Sequence, residues 1–114
     1  MIMEQSLPPQ PLVYLKIHHS HKNSVTAACD YELVGKTFTD TLHGIKLVTS
    51  PHFYKGELVT ISESLNAIRA ADNVNLVGPN IISAVLKEHL AHEHAVLIIH
   101  SDEGNIPHLQ IFHV

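Results

Sequence analysis

Residues 12–30 alternate, and that pattern limits the fold more than anything else in the chain. In LVYLKIH, residues 12–18, Val13, Leu15 and Ile17 fall on one face and Tyr14, Lys16 and His18 on the other, the period of two expected of a half-buried strand. SVTAACD, residues 24–30, repeats the period with Val25, Ala27 and Cys29 on the inward phase. Only the short polar stretch HSHKN, residues 19–23, separates the two runs, so together they predict a hairpin.

The rest of the sequence supplies the other elements. YELVGKTFTDTLHG, residues 31–44, breaks the alternation at Gly35 and Gly44 and reads as an irregular excursion; IKLVTS, residues 45–50, predicts a third strand ahead of a turn region at Pro51 and Gly56. Thr60 and Glu63 have the T-x-x-E spacing of a capping box, which satisfies unpaired N–H groups at a helix start. A helix is therefore predicted over 61–71, with Ile61, Leu65 and Ile68 as its apolar stripe. NVNLVG, residues 73–78, reads as a connector or strand stub. Pro79 suits the first turn of a second helix, whose apolar face of Ile81, Ile82, Val85, Leu86 and Leu90 predicts that it runs through residue 90. AVLIIH and PHLQIFHV, parted by the turn residues SDEGN, predict a closing hairpin.

Residues 1–11, with three prolines and no periodicity, read as a flexible N-terminal arm. Residues 12–114 are then a single α+β domain: an antiparallel or mixed sheet of about five strands, with two helices mainly on one side, in the order β-β-β-α-α-β-β. A chain of 114 residues, 45% hydrophobic and 16% charged, can close one core without a disulfide or a metal. No cofactor is expected. The lone Cys29 and the lack of a leader-like start favour a reducing, cytoplasmic setting. The longest apolar run, Ala95 to Ile99, falls far short of the roughly 20 residues that span a bilayer, so no membrane partner is expected.

Charge narrows the partners. Seven Lys and Arg stand against 11 Asp and Glu, a formal net charge of −4, which excludes an overall positive field that would draw the chain to nucleic acid. Any RNA contact must be local. The 11 histidines would turn the net charge positive if all were protonated, which would make polyanion binding depend strongly on pH.

Several motifs invite chemistry. His89, His92 and His94 in HLAHEH could form a three-ligand metal set, but the H-E-x-x-H order is absent and no cysteine lies nearby, so they also read as an exposed helix end. HHSH, residues 18–21, sits at a hairpin tip, where only His19 and His21 share a face. VGKT, residues 34–37, resembles the end of a phosphate loop, yet the first glycine that such a loop needs is Asp30. Cys29 could act as a nucleophile if an imidazole lay beside it, with Asp30 or Glu32 as orienting or acid-base groups; a core cysteine and turn-binding carboxylates are the alternative. In IPHLQIFHV, residues 106–114, His108, Gln110 and Phe112 point one way on a strand and offer polar groups plus a stacking surface suited to unpaired bases; an edge strand with one solvated side is the alternative.

Taken in order, CDYELVGKTF at 29–38, GELVTISESLNAIRAADNVNLVG at 56–78 and IPHLQ at 106–110 resemble a small archaeal family known as domain of unknown function 424. The resemblance covers roughly Leu12 to Val114. The matching positions are Cys29, Asp30, Glu32, Leu33, Gly35 and Lys36, then Asn75, Leu76, Val77 and Gly78, then Pro107, His108 and Gln110. Neither HHSH nor HLAHEH belongs to the family pattern. The resemblance implies a loose connection with RNA or translation and no established activity. The expectation is a non-enzymatic module binding RNA or a ribonucleoprotein, helped by a protein partner, with no oligomeric state assigned. In that reading Lys36 in the Gly35 bend contacts phosphate, His108 and Gln110 read polar edges, and Asn75 and Gly78 shape the adjoining loop. The alternatives are a small hydrolase-like or transferase-like enzyme using Cys29 or Asp30 with His108, and a histidine-rich metal-binding protein.

Overall fold

Strands β1, Leu12–His19, and β2, Ser24–Asp30, pair antiparallel in the computed structural model, which describes residues 10–112. The arm assigned to residues 1–11 lies for the most part outside the described residues. Register places Tyr14 opposite Cys29 and Lys16 opposite Ala27, so the apolar phase of β2 shares a side with the polar phase of β1. The two apolar sets therefore face opposite ways. This is possible because β2 is covered on both faces: Thr26, Ala27, Ala28, Cys29 and Asp30 are all buried.

After a 3-10 turn at Tyr31–Leu33, the expected irregular excursion contains a strand, β3, Thr37–Asp40, which pairs with β4, Ile45–Val48, as a separate hairpin. The predicted turn after β4 holds a short helix, α1, Pro51–Tyr54, and a further strand, β5, Glu57–Thr60, which joins the far edge of β1. Helix α2, Ile61–Arg69, starts on the predicted capping box: the Thr60 hydroxyl accepts from the Glu63 N–H at 3.1 Å, and the Glu63 carboxylate accepts from the Thr60 N–H at 3.1 Å.

The stub at residues 73–78 is in fact a central strand. β6, Asn73–Val77, runs parallel to β2 on one side and antiparallel to β8, Gly104–Phe112, on the other, with β7, Leu97–Ser101, beyond it. Two asparagines disguise it. Asn75 Oδ1 accepts from the Tyr54 hydroxyl at 2.6 Å, and Asn73 Nδ2 donates to the Ser24 carbonyl at 3.2 Å, so their burial is compensated. The resulting six-stranded mixed sheet has the order β5-β1-β2-β6-β8-β7.

Helix α3, Pro79–Lys87, ends short of the predicted residue 90. His89 adopts φ 56°, the Leu90 N–H returns to the Val85 carbonyl at 3.0 Å, and the His89 N–H returns to the Leu86 carbonyl at 3.1 Å. This is a Schellman stop, with histidine where glycine is usual; Leu90 then packs onto the core as part of the terminating motif.

Each face of the sheet has its own core. Leu65 and Ile68 of α2 and Ile81, Ile82 and Val85 of α3 pack on Val13, Ala28, Val74, Leu76 and Leu109. On the opposite face Phe38 and Tyr54 cover Ala27, Cys29, Val77, Ile99 and Ile106. The buried Asp40 carboxylate joins the small hairpin to the sheet edge by accepting the backbone N–H of His100 at 2.9 Å. Among the described residues no helix is long and apolar enough to cross a membrane.

Candidate functional site

On the face bearing α1 and the small hairpin, register lines side chains into rows. One holds Tyr14, Cys29, Val77, His108 and Leu97, the next Lys16, Ala27, Asn75 and Gln110, and the third His18, Val25, Asn73 and Phe112. Helix α1 lies over the β1 end of the rows. Lys16 Nζ donates to the His52 carbonyl at 2.7 Å, His18 Nε2 donates to the Phe53 carbonyl at 2.7 Å, and the His18 ring stacks on Phe53 at 4.6 Å.

The β8 end is open. Gln110 is exposed and Phe112 is 67% exposed. His108 is half-buried beside them, with Nδ1 2.9 Å from the Leu76 carbonyl. A carbonyl only accepts, so Nδ1 carries the proton and Nε2 is left as an acceptor. Burial lowers the His108 pKa, against a smaller upward pull from the Leu76 hydrogen bond, and so favours the neutral ring. An acceptor, an amide and an aromatic face thus follow one another at every second residue of β8.

A cleft of about 260 Å³ opens farther along the same face, lined by Tyr14, Tyr31, Glu32, Val34, Pro51 and Lys55. The two tyrosine rings are 5.9 Å apart and tilted by 31°, and Lys55 Nζ stands 5.8 Å from the Tyr14 ring centre. Glu32 thus belongs to an aromatic cleft. Sequence reasoning passed over both tyrosines; the available signal was Tyr14 on the polar phase of β1 and a second tyrosine immediately after β2.

The Gly35 bend is held by β4's end: the Gly35 N–H donates to the Thr49 carbonyl at 2.7 Å and the Lys36 N–H to the Thr49 hydroxyl at 3.0 Å. Lys36 Nζ is 3.9 Å from Glu103, in the turn before β8. At about 3.3 Å per strand residue, that turn lies roughly 16 Å along β8 from His108. Lys36 and the His108–Gln110 pair are therefore separate contact points.

Cys29 and Asp30 occupy structural positions. Cys29 is fully buried, and burial, with the nearby Asp30 and Glu32 charges, pushes its thiol up to about 12. In register it is two strands from His108, roughly 10 Å at ordinary strand spacing. It has neither the exposure nor the imidazole neighbour that a nucleophile needs. Asp30 accepts the N–H groups of Asn80 and Ile81 at 2.8 and 3.0 Å, closing the start of α3. Burial raises its pKa to about 6 even though those two N–H groups pull it down. Gly78 is the counterpart of Asp30: at φ 121°, a Cβ there would lie 2.3 Å from Asp30 Cγ.

The histidine motifs are dispersed. His18 is on Phe53, whereas His19 and His21 are exposed at the hairpin. His89 sits in the Schellman turn, and His92 Nδ1 is occupied by the His94 N–H at 3.2 Å. Among the described residues no three His, Cys, Asp or Glu side chains are grouped to hold an ion.

A search of curated proteins finds no match. Among solved structures, the chain is similar to the crystal structure of an uncharacterized conserved protein from Methanopyrus kandleri, with 28% identity, a TM-score of 0.69, and coverage of 88% of this chain and 90% of that one. The family model described as protein of unknown function, DUF424, matches residues 18–114. With most of its length accounted for by that model, the chain belongs to the DUF424 family.

Proposed function

We propose that the protein is a non-enzymatic binding module for RNA or a ribonucleoprotein, and that the open end of β8 is where unpaired bases rest. The observation that carries this reading is Phe112, 67% exposed and in line with Gln110 and His108. An aromatic face left in solvent beside hydrogen-bonding groups is what sequence-tolerant base stacking uses. Four of the seven basic residues support it: Lys16 and Lys55 flank α1, and Lys36 and Lys46 belong to the segment that forms the small hairpin. Lys36 faces Glu103 at 3.9 Å, and Arg69, on the helical side, is paired more closely with Glu88 at 2.7 Å. Lys16 and Lys55 therefore place positive charge beside α1 despite the negative total. The dry environment of Cys29 favours this reading over the enzyme.

The test is titration of short single-stranded RNA into the full chain at low salt, alone and with translation components. Phe112→Ala should weaken binding by at least fivefold, since a stacked base contributes about 1–3 kcal/mol. Lys36→Ala should reduce the salt slope by about one. Leu42→Ala, 82% exposed in the small hairpin's turn, should change nothing. Absence of binding under both conditions removes the proposal.

A further inference from the structure

Two histidines outside every sequence motif come together at the edge of the sheet. Asp40, the last residue of β3, accepts the His43 N–H at 3.0 Å, and its Oδ2 lies 2.9 Å from His43 Nδ1. A carboxylate can only accept, so Nδ1 carries a proton and, in the neutral ring, Nε2 holds the lone pair. His100, exposed on β7, is arranged alike by a different partner: its Nδ1 is 3.0 Å from Oδ1 of Asn105, the residue opposite it on β8. An amide oxygen also only accepts, so the neutral His100 ring likewise presents Nε2 as its acceptor.

The ring centres are close enough together to share one ion. Their centres are 5.6 Å apart and tilted by 41°. Two imidazoles bonded through nitrogen to one tetrahedral ion at about 2.0–2.1 Å place their ring centres about 5.2 Å apart. The two spacings differ by only a few tenths of an ångström, and binding requires both Nε2 atoms to turn towards the ion. The His43 side chain is 50% exposed, which gives an ion a way in and lets water fill the remaining coordination positions.

We propose that His43 and His100 form a two-imidazole surface site for a divalent transition ion of the Zn²⁺ or Ni²⁺ class, with Asp40 and Asn105 as the outer partners of the two rings. A partner that binds the distal ring N–H fixes the tautomer and raises ligand basicity, and imidazole selects this class of ion over Mg²⁺ or Ca²⁺. The bound ion bridges the small hairpin to strand β7. The site owes nothing to HHSH or HLAHEH.

Calorimetric titration of Zn²⁺ into the untagged, chelator-stripped full chain at pH 7.5 tests it. The tightest step should be one equivalent, lost in His43→Gln and in His100→Gln, and retained when His19 with His21, or His92 with His94, are changed to Gln. Both single variants keep the backbone N–H groups that Asp40 accepts, and circular dichroism checks that they fold. Asn105→Ala leaves both ligands in place and should weaken the step 10- to 100-fold. In the unaltered protein, ¹⁵N-imidazole spectra should show Nε2 of His43 and His100 shifting first. A tight step that survives either single substitution, one lost with the His19 or His92 pairs, or no bound equivalent overturns the proposal.

Discussion

Asp30 and Gly78 constrain each other at the start of α3. The aspartate closes two N–H groups of the helix, and the glycine leaves the room that the aspartate occupies. Gly78→Ala combines a strained φ with a direct clash, and should cost on the order of 3 kcal/mol in urea denaturation. Gly44→Ala, at φ 66° with nothing within 4 Å, should cost only about 1 kcal/mol. His89 presents the opposite case. It holds a left-handed conformation that glycine adopts freely, so His89→Gly should raise stability by roughly 0.5–1 kcal/mol, read as a higher urea midpoint.

Among the elements, the small hairpin depends on Asp40. Burial alone would raise this carboxyl, but hydrogen bonds from the His100 N–H, the His43 ring and the His43 N–H lower it from 3.8 to about 2. The folded chain thus holds fewer protons than the unfolded one between those values. The stabilisation is present above about pH 4 and lost as pH falls towards 2. Urea midpoints measured across that window should fall less steeply in Asp40→Asn, which should also be less stable at neutral pH. Asp30 works the other way: raised to about 6, it favours the fold most at low pH and loses that contribution as pH rises through 6. The elements that were legible in sequence are those with a local signature. The β1–β2 pair has its alternation and α2 has its capping box, and the closing hairpin has its turn residues. β6 was hidden because a strand covered on both faces does not alternate, and because its asparagines find partners only in the folded chain. β4 was legible as a strand, but its partner β3 was hidden in a stretch broken up by Gly35 and Gly44. The row on β8 could be read from its period, whereas the tyrosine cleft and the Asp40 cluster required pairing between distant segments.

For the molecule as a whole, Cys29 is a reporter of the central seam. It is the chain's one cysteine, fully buried where β2 meets β6. Thiol reagent should label it only through global opening, at a rate on the order of 10³-fold or more below that of a free thiol under native conditions. Labelling within tenfold of a free thiol would mean that the seam opens locally. Urea should abolish the protection in step with the loss of secondary structure.

The seam also orders events at birth. β2 leaves the ribosome well before β6, since the strand that completes its second edge begins only at Asn73. A nascent chain that has emerged as far as residue 72 can hold β1, β2 and β5 while one row of amide and carbonyl groups on β2 still awaits a neighbour. Synthesis therefore passes through a stage exposed to mispairing, which ends when the Asn73–Val77 segment slots in.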